Sequence, residues 1–207
     1  MNNNLAINFS NYFSDIKYGT AAYAYTFNNR GNTLHFGLSY IDYGKFSGYD
    51  EQGNSTNDFT GKESAFSIGY SSKINYLPIY VGLNLRLITS SLEQYNSIGI
   101  STDIGLLYIN SEMNLNIAMV IRNFGTQLKA YNDIYEKLPF EIDIGVSQLL
   151  ENAPLRWYLT FENVQKWNIA LSNPSRLTTD LDGNITEEKV TFFNNIFRHL
   201  IIGAELF

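Results

Sequence analysis

Residues 79–88 read IYVGLNLRLI, and their apolar side chains fall on alternate positions. Because successive side chains of a β-strand point to opposite faces of a sheet, this alternation predicts a strand with one apolar and one polar face. The same alternation occurs in residues 97–108 (SIGISTDIGLLY) and 140–148 (FEIDIGVSQ), where small and charged residues occupy the second face. These three stretches predict an all-β fold.

Further stretches alternate less regularly, and helical spacing of apolar residues is almost absent. The weaker stretches are residues 17–27, 34–43, 64–71, 115–124, 155–163 and 198–207, with a shorter tenth at 5–9. No internal sequence repeat, charge block or proline-rich linker marks a domain boundary. We therefore expect residues 1–207 to form a single domain with nine or ten strands.

The connections between these stretches alternate between short and longer ones. The short connections are residues 28–33, 72–78, 110–114 and 149–154, and the longer ones are 45–63, 89–96, 125–139 and 164–197. An antiparallel up-and-down sheet with its long loops on one rim produces this order, as in outer-membrane barrels with short periplasmic turns. Residues 164–197 are predicted to form a long outer-loop insertion.

Three features favour a transmembrane β-barrel over a soluble β-sandwich or lipocalin-like barrel. Stretches of about 9–11 residues suit tilted strands that cross a bilayer, whereas soluble strands average about 5–6 residues. Aromatic residues gather near the ends of the stretches, as in interfacial girdles, and the apolar faces of the three clearest stretches carry no charge. The polar faces, the third feature, are rich in glycine, serine and alanine, as expected for a crowded lumen, and carry candidate lumen charges at Arg86, Asp103, Arg122, Asp143 and Glu162.

Composition excludes several classes of function. The chain has no cysteine, which excludes thiolate metal sites and cysteine nucleophiles, and its two histidines, His35 and His199, argue against a histidine-built metal centre. With 14 basic and 20 acidic residues, the chain lacks the positive surface that nucleic-acid binding requires. No apolar run is long enough for a transmembrane helix, and residues 1–6 lack the features of a secretory signal.

Acidic segments invite catalytic or calcium-binding interpretations that the residues do not support. In residues 180–184 (DLDGN) the glycine is misplaced for a calcium loop, so an Asp-Gly hairpin turn between residues 177–179 and 185–186 is predicted. Residues 50–54 (DEQGN) predict a loop tip with positive φ angles at Gly53 and Asn54.

The carboxylates on the polar faces are not accompanied by a nucleophile, a partner histidine or a phosphate cradle, so we expect no enzymatic activity, metal or cofactor. Glu141, Asp143 and Glu162 are expected to pair across the lumen with arginines, namely Arg86, Arg122 and Arg156. His35 and His199 are expected to lie on polar strand faces and to make hydrogen bonds in the lumen.

Loop and turn signatures along nearly the whole chain resemble the PorQ family of the type IX secretion system. They are residues 40–46 (YIDYGKF) with Gly53-Asn54 and Asp58-Phe59, 95–103 (YNSIGISTD), 121–128 (IRNFGTQL) with Tyr131, 138–140 (LPF), 153–156 (APLR), and Arg198-His199 before 203–206 (GAEL). The resemblance implies an outer-membrane barrel of Bacteroidota, related to the FadL-like fatty-acid transporters. It also implies a signal peptide and further strands beyond residues 1–207, so that the barrel here is incomplete at both ends.

The resemblance further implies a non-catalytic role in the cell-surface attachment complex, where the family holds a PorZ-like surface protein beside PorU and PorV. Aromatic residues in the long loops are candidate docking residues, because aromatics dominate interface hot spots. They are Tyr49, Phe59, Tyr131, Tyr135, Trp167, Phe192 and Phe193. The alternatives are loop-to-loop packing by these aromatics, an outer-membrane channel for small hydrophobic compounds, and a soluble β-sandwich with a binding role.

Overall fold

The computed structural model describes residues 2–27, 31–132, 134–169, 178–179, 185–186 and 191–207. Ten strands form one antiparallel sheet in which each strand is hydrogen-bonded to the next one along the chain, apart from the hairpin inserted before the last strand. The fold is therefore all-β with up-and-down topology, as the alternation predicted. Among the described residues the two edge strands do not pair with each other, so the sheet is open.

All ten predicted strands are present. The bounds of the sheet strands are β1 Asn2–Asn11, β2 Lys17–Phe27, β3 Asn32–Phe46, β4 Phe59–Lys73, β5 Ile79–Leu92, β6 Tyr95–Asn110, β7 Leu115–Lys129, β8 Glu141–Leu149, β9 Leu155–Phe161 and β12 Leu200–Leu206. The inserted hairpin consists of β10 Thr178–Thr179 and β11 Ile185–Thr186. The five strands β3 to β7 are 14 to 16 residues long, well beyond the stretches that alternation alone marked out.

The chain divides into two compact units. The first comprises Met1–Tyr108 and Val120–Phe140, and the second comprises Ile109–Met119 and Glu141–Phe207. In the first unit the pairing of β4, β5 and β6 is continuous, with Gly69 opposite Asn84 and Asn84 opposite Asp103. This register places polar residues of neighbouring strands side by side on one face, as the side-chain period of two requires.

The prediction of a medium-length connection at residues 89–96 is wrong. Strands β5 and β6 continue to Leu92 and Tyr95, which pair with each other, so only residues 93–94 connect them. Glu93 has a φ of 55°, the left-handed conformation that tight hairpin turns use. Short and long connections consequently do not alternate without interruption, although the long ones, residues 47–58, 130–140 and 162–199, all follow odd-numbered strands.

A short helix, α1 (Phe192–His199), replaces the end of the predicted loop and the start of the predicted last strand. The hydroxyl of Thr191 caps it by accepting a hydrogen bond from the Asn194 amide at 3.4 Å. His199 therefore ends a helix and does not lie on a strand, which corrects its predicted position. Within the described ranges, no helix combines the length and apolarity needed to cross a membrane.

The predicted hairpin in the long insertion is confirmed at its flanks. Strands β10 and β11 pair in antiparallel register, with Thr178 opposite Thr186 and Thr179 opposite Ile185. The Asp-Gly turn expected at residues 180–184 lies outside the described residues.

Candidate functional site

The polar face of the sheet is more buried than its apolar face, which reverses the arrangement of a water-soluble protein. In β6, Ser97 and Ser101 are 7% and 1% exposed, whereas Ile100 and Ile104 on the other face are 40% and 39% exposed. Ala130 is the single buried hydrophobic residue within the part of the chain that the structure describes. The small residues on the polar face therefore pack closely, and the apolar side chains point away from the protein.

The exposed apolar face is continuous across neighbouring strands. In β4 to β6 it consists of Phe66, Ile68, Tyr70, Leu83, Leu85, Leu87, Ile98, Ile100, Ile104 and Leu106. Soluble monomers seldom expose contiguous apolar patches larger than about 300–600 Å². Because leaving apolar surface in water costs about 25 cal/mol per Å², this face requires an apolar neighbour.

A hydrogen-bonded cluster occupies the middle of the polar face, and we name its four residues, Asn84, Arg86, Asp103 and Asn123, the Arg86 cluster. Nη2 of Arg86 lies 2.6 Å from Oδ2 of Asp103, and the Asn84 side chain donates to the same oxygen at 3.0 Å. The Asn123 amide donates to Oδ1 of Asp103 at 3.0 Å, and Arg86 donates to the Asn123 side-chain oxygen at 3.1 Å. Both carboxylate oxygens of Asp103 are thus satisfied.

Asn123 joins the cluster because β7 is irregular at this residue. Its φ of 55° is left-handed, a conformation that asparagine tolerates better than most residues; its backbone amide bonds to Asp103 of β6 and its side chain to Arg86 of β5. The Asn123 side chain also donates to the carbonyl oxygen of Pro139 at 3.0 Å. The cluster therefore connects the polar face to the loop at residues 130–140.

A cavity of about 290 Å³ lies beside the cluster. Its lining includes Gly82 and Gly105 and, among its polar residues, His35, Asn84 and Asp103. Oδ1 of Asn84 is buried without a hydrogen-bond partner in the described part of the chain. The cavity could accommodate water or a small polar molecule, and the described residues contain no group of carboxylates and histidines that could hold a metal ion.

His35 occupies its position because Gly69, directly opposite on β4, has no side chain. A Cβ atom at Gly69 would lie 2.6 Å from Nδ1 of His35 and 3.2 Å from Oδ1 of Asn84, so the imidazole occupies the space that a side chain would fill. His35 therefore lies on the polar face, as the alternation predicted.

Only two of the five candidate lumen charges come together in this cluster, Arg86 and Asp103. Asp143 is buried in the second unit, where it accepts a hydrogen bond from the Asn163 amide at 3.2 Å. Glu162 is half-buried in that unit, and Arg122 is exposed on β7 in the first unit.

Arg86 and Arg156 do not pair with carboxylates across the lumen, as was predicted, but with carboxylates on neighbouring strands. Arg86 pairs with Asp103 on the adjacent strand, and Arg156 pairs with Glu205 at 3.0 Å, directly opposite on β12. Neighbouring strands place opposed Cβ atoms about 5 Å apart, so cross-strand partners lie within easy reach of a long side chain.

Gly125 on β7 is a position where the sheet admits no side chain. A Cβ atom there would collide with the carbonyl oxygen of Ile100 and lie 2.6 Å from Cα of Ser101, both backbone atoms of β6. We expect Gly125→Ala to cost about 1–3 kcal/mol of unfolding free energy, the usual range for overpacking. Urea unfolding monitored by tryptophan fluorescence measures this cost.

Gly105→Ala is the matched control, because a Cβ atom at Gly105 meets no atom within 4 Å. We expect its unfolding free energy to remain close to that of the parent chain. Equal costs for the two variants would contradict the close approach of β6 and β7 at Gly125.

The loop at residues 47–58 is a compact hairpin with an exposed aromatic side chain. Tyr49 bridges to Ser55 and is 66% exposed, and Gly53 has the positive φ, 84°, that was predicted. The positive φ predicted for Asn54 is wrong, because Asn54 instead donates its amide and its side chain to the Asp50 carboxylate at 2.7 and 2.9 Å. Tyr49 is thus presented on an ordered turn.

This turn is expected to depend on pH. The hydrogen bond from the Asn54 side chain, followed by that from the Asn54 amide, lowers the pKa of the Asp50 carboxyl below its usual value of about 3.9. A lowered pKa in the folded state means that the carboxylate stabilises the turn above about pH 4 and that this contribution is lost as the pH falls through the folded-state pKa. The Asn54 amide chemical shift should report this transition.

Asp50→Asn provides the control for this titration. The variant retains one acceptor oxygen but has no ionisable group at this position, so the acid transition of the Asn54 amide should disappear. A transition of unchanged midpoint in Asp50→Asn would show that another group controls the turn.

The remaining aromatic candidates of the first unit differ in accessibility. Phe59 is the first residue of β4, where it stacks on Phe46 with ring centroids 5.3 Å apart, so its prediction as a loop residue is wrong. The Tyr131 hydroxyl is hydrogen-bonded to the Ser90 hydroxyl, so Tyr131 packs against β5. Tyr135 is 62% exposed and remains available for a contact.

The aromatic candidates of the second unit form a series of ring contacts that starts at His199. The His199 ring is 1% exposed and stacks on Trp167 with centroids 5.4 Å apart. Its Nδ1 and Nε2 atoms lie 2.6 and 3.0 Å from the carbonyl oxygens of Glu162 and Trp167. Phe192 lies against Trp167 and Phe193 against Phe192, so these aromatic side chains form one group at α1.

Comparison with known proteins gives no assignment. No protein-family model matches the chain, and no curated protein matches its sequence.

Proposed function

We propose that this chain is part of a non-catalytic outer-membrane β-barrel that docks a surface protein through its long loops, as the resemblance to the PorQ family implies. The partner would be a PorZ-like protein in an attachment complex that also contains PorU- and PorV-like members. The observation that carries the proposal is the reversed burial of the sheet, with small and polar residues packed on one face and large apolar residues exposed on the other.

The dimensions of the sheet support a location in the bilayer. Strands β3 to β7 have 14 to 16 residues, more than the roughly 9–11 that a tilted strand needs to cross the hydrocarbon core. On the exposed apolar face of β4 to β6 the one charged residue is Lys62, near the end of β4 and beyond the apolar positions, and Arg86 and Asp103 lie on the other face. Lipid would provide the apolar neighbour that this face requires, and backbone groups at that depth would be satisfied by strand pairing.

The loops at residues 47–58 and 130–140 support a docking role because they are held in place. Gln127 accepts a hydrogen bond from the Glu136 amide at 2.7 Å, and Asn123 donates to Pro139. Tyr135 is therefore exposed on a loop bonded to the sheet, and Tyr49 on a turn ordered by its own hydrogen bonds, which lowers the entropic cost of binding a partner.

The polar face favours docking over the alternative channel for hydrophobic compounds. Such a channel requires a continuous apolar path, whereas the centre of the polar face is occupied by Asn84, Arg86 and Asp103 in mutual contact. A conductance in planar bilayers that changes when Arg86 is replaced would favour transport. A soluble β-sandwich would instead be monodisperse in the absence of detergent.

Replacing both exposed tyrosines tests the docking proposal. We expect Tyr49→Ala with Tyr135→Ala to reduce the affinity for the PorZ-like protein at least tenfold, because truncating an interface hot spot costs about 2 kcal/mol or more. Co-purification from detergent-solubilised outer membranes, followed by titration of the purified proteins, measures the loss.

Tyr76→Ala is the matched control. Tyr76 is fully exposed in the short turn between β4 and β5, at the opposite end of the strands from Tyr49. Its replacement should leave the affinity unchanged. Full binding by the double variant, or an equal loss in the control, would argue against docking through these loops.

A further inference from the structure

Helix α1 presents polar residues to the protein and aromatic residues away from it. Asn195 and His199, one turn apart, are buried, whereas Phe192, Phe193 and Phe197 are 61–69% exposed. A helix on the surface of a soluble protein has the opposite orientation, with its apolar stripe against the core. The aromatic face of α1 is therefore built to contact something other than the second unit of this chain.

The orientation of α1 is fixed by its buried side. Both ring nitrogens of His199 lie within hydrogen-bonding distance of backbone carbonyls, those of Glu162 and Trp167. Asn195 donates to the Asn168 side chain at 3.5 Å, and the Glu162 amide donates to the His199 carbonyl at 2.9 Å. These bonds hold α1 on residues 162–168, so the phenylalanines cannot turn inward without breaking them.

The position of α1 in the chain places it at the end of an apolar strand face. Helix α1 ends at His199 and β12 begins at the next residue, where Leu200 and Ile202 lie opposite Phe161 and Leu159 of β9. The helix therefore leads directly into a strand with exposed apolar residues such as Ile201 and Ile202.

The charge of this segment is also distinctive. Helix α1 contains no acidic residue, and the exposed side chain of Arg198 lies in its last turn. Lys166 is exposed next to Trp167 in the segment that holds the helix. Tryptophan and phenylalanine beside arginine and lysine are typical of segments at the boundary between lipid chains and anionic headgroups.

We propose that α1 and Trp167 form an interfacial anchor, in which the aromatic side chains enter the headgroup region of an anionic bilayer and Arg198 and Lys166 contact lipid phosphates. This inference rests on the proposed location of the sheet in the same bilayer. It assigns Trp167, Phe192 and Phe193 to lipid, and leaves Tyr49 and Tyr135 as the docking aromatics. The fixed orientation of α1, its lack of acidic residues and its direct connection to the exposed apolar residues of β12 favour lipid over a protein partner.

The two tryptophans of the chain allow the anchor and the sheet to be tested separately. Trp157 lies on the apolar face of β9, opposite Ala204, and Trp167 lies beside α1. The full chain is reconstituted into phosphatidylcholine and phosphatidylglycerol vesicles that contain lipids brominated either near the headgroup or near the chain end. Trp157→Phe leaves Trp167 as the probe of the anchor, and Trp167→Phe leaves Trp157 as the probe of the sheet.

We expect both tryptophans to be quenched, and Trp167 to be quenched more strongly by bromine near the headgroup than by bromine near the chain end. Phe193→Ser with Phe197→Ser should reduce the quenching of Trp167 and leave that of Trp157 unchanged. Tyr49→Ser, a matched exposed aromatic in another loop, should change neither.

The outcomes separate the two proposals. Quenching of Trp157 without quenching of Trp167 overturns the anchor and leaves the barrel in the membrane. Absence of quenching at both overturns the membrane location itself. If brominated lipid does not quench Trp167 fluorescence, but the Trp167 emission shifts when the PorZ-like protein is added, then α1 is a protein-docking element. The anchor proposal is overturned in that case too.

Discussion

Arg86→Met is expected to lower the free energy of unfolding by about 2–4 kcal/mol, because the substitution leaves the Asp103 carboxylate without its cation. The side chains of Arg86 and Asp103 are only 30% and 17% exposed, so water compensates little for the lost ion pair. The substitution also removes the hydrogen bond from Arg86 to Asn123. Urea unfolding of the reconstituted chain, monitored by tryptophan fluorescence, measures the change.

Two further variants show whether this loss comes from an uncompensated charge. Lys62→Met removes the cation of a longer, more exposed ion pair with Asp42, at 4.0 Å, and should cost less than about 1 kcal/mol. Adding Asp103→Asn to Arg86→Met removes the unpaired charge while keeping an acceptor for the Asn123 amide, and should recover a large part of the stability. Equal losses for Arg86→Met and Lys62→Met would show that the Arg86 cluster contributes no more than a surface ion pair.

The loss of the cluster is expected to reach the loop at residues 130–140. Asn123 bonds both to Asp103 and to the Pro139 carbonyl, so the carboxylate that Arg86 neutralises also holds the residue that supports this loop. Stability of the sheet and presentation of Tyr135 are therefore coupled through one asparagine.

The strands could be predicted from the sequence because their two faces differ so strongly in character. Residues 79–88 and 97–108 alternate apolar residues with glycine, serine and charged residues, and a period of two has no other simple structural explanation. The ends of the strands could not be placed in the same way. Ser90 and Ser91 extend β5 without contributing to an apolar face, because their pairing with β6 is made by the backbone.

Helix α1 was missed because eight residues give too short a pattern to separate from a strand. Its signal was Thr191 as a helix-capping residue, followed by two pairs of apolar residues four positions apart, Phe192 with Ile196 and Phe193 with Phe197. His199 is in phase with Gly203 and Glu205 and alternates with apolar Leu200, so it resembled a residue on the polar face of the strand that follows. The burial of the His199 ring depends on carbonyls of residues 162 and 167, which no local pattern reveals.

The sequence predicted which face of the sheet carries the Arg86 cluster, but not which of its residues contact each other. Arg86 and Asp103 were both assigned to the polar face, yet Arg86 lies opposite Ser101 and Asp103 lies opposite Asn84, so their ion pair is diagonal and depends on side-chain reach. Asn84 and Asn123 gave no separate signal. Asn84 is an ordinary polar position of an alternating strand, and Asn123 acts through a left-handed backbone conformation that the sequence does not indicate.

Ile104→Arg is expected to destabilise the reconstituted chain by about 2–4 kcal/mol, the cost of a cation on the lipid face near the bilayer midplane. Strand β6 has 16 residues, so its centre lies between Thr102 and Asp103. At about 3.4 Å per residue and a tilt of about 40°, Ile104 lies about 4 Å from the midplane of a bilayer centred on β6, and Ile98 about 12 Å from it.

Ile98→Arg is consequently the matched control, with the same substitution on the same face of the same strand. The two isoleucines are 36% and 39% exposed, so a soluble protein would treat both substitutions alike, whereas a bilayer makes Ile98→Arg cost only about 0–1 kcal/mol. Unfolding free energies measured in vesicles give the difference between the two variants. Only in a bilayer does the cost of a charge depend on its depth along one strand. Small and equal losses of stability in the two variants would therefore place this face in water. Large and equal losses would place it against another layer of protein.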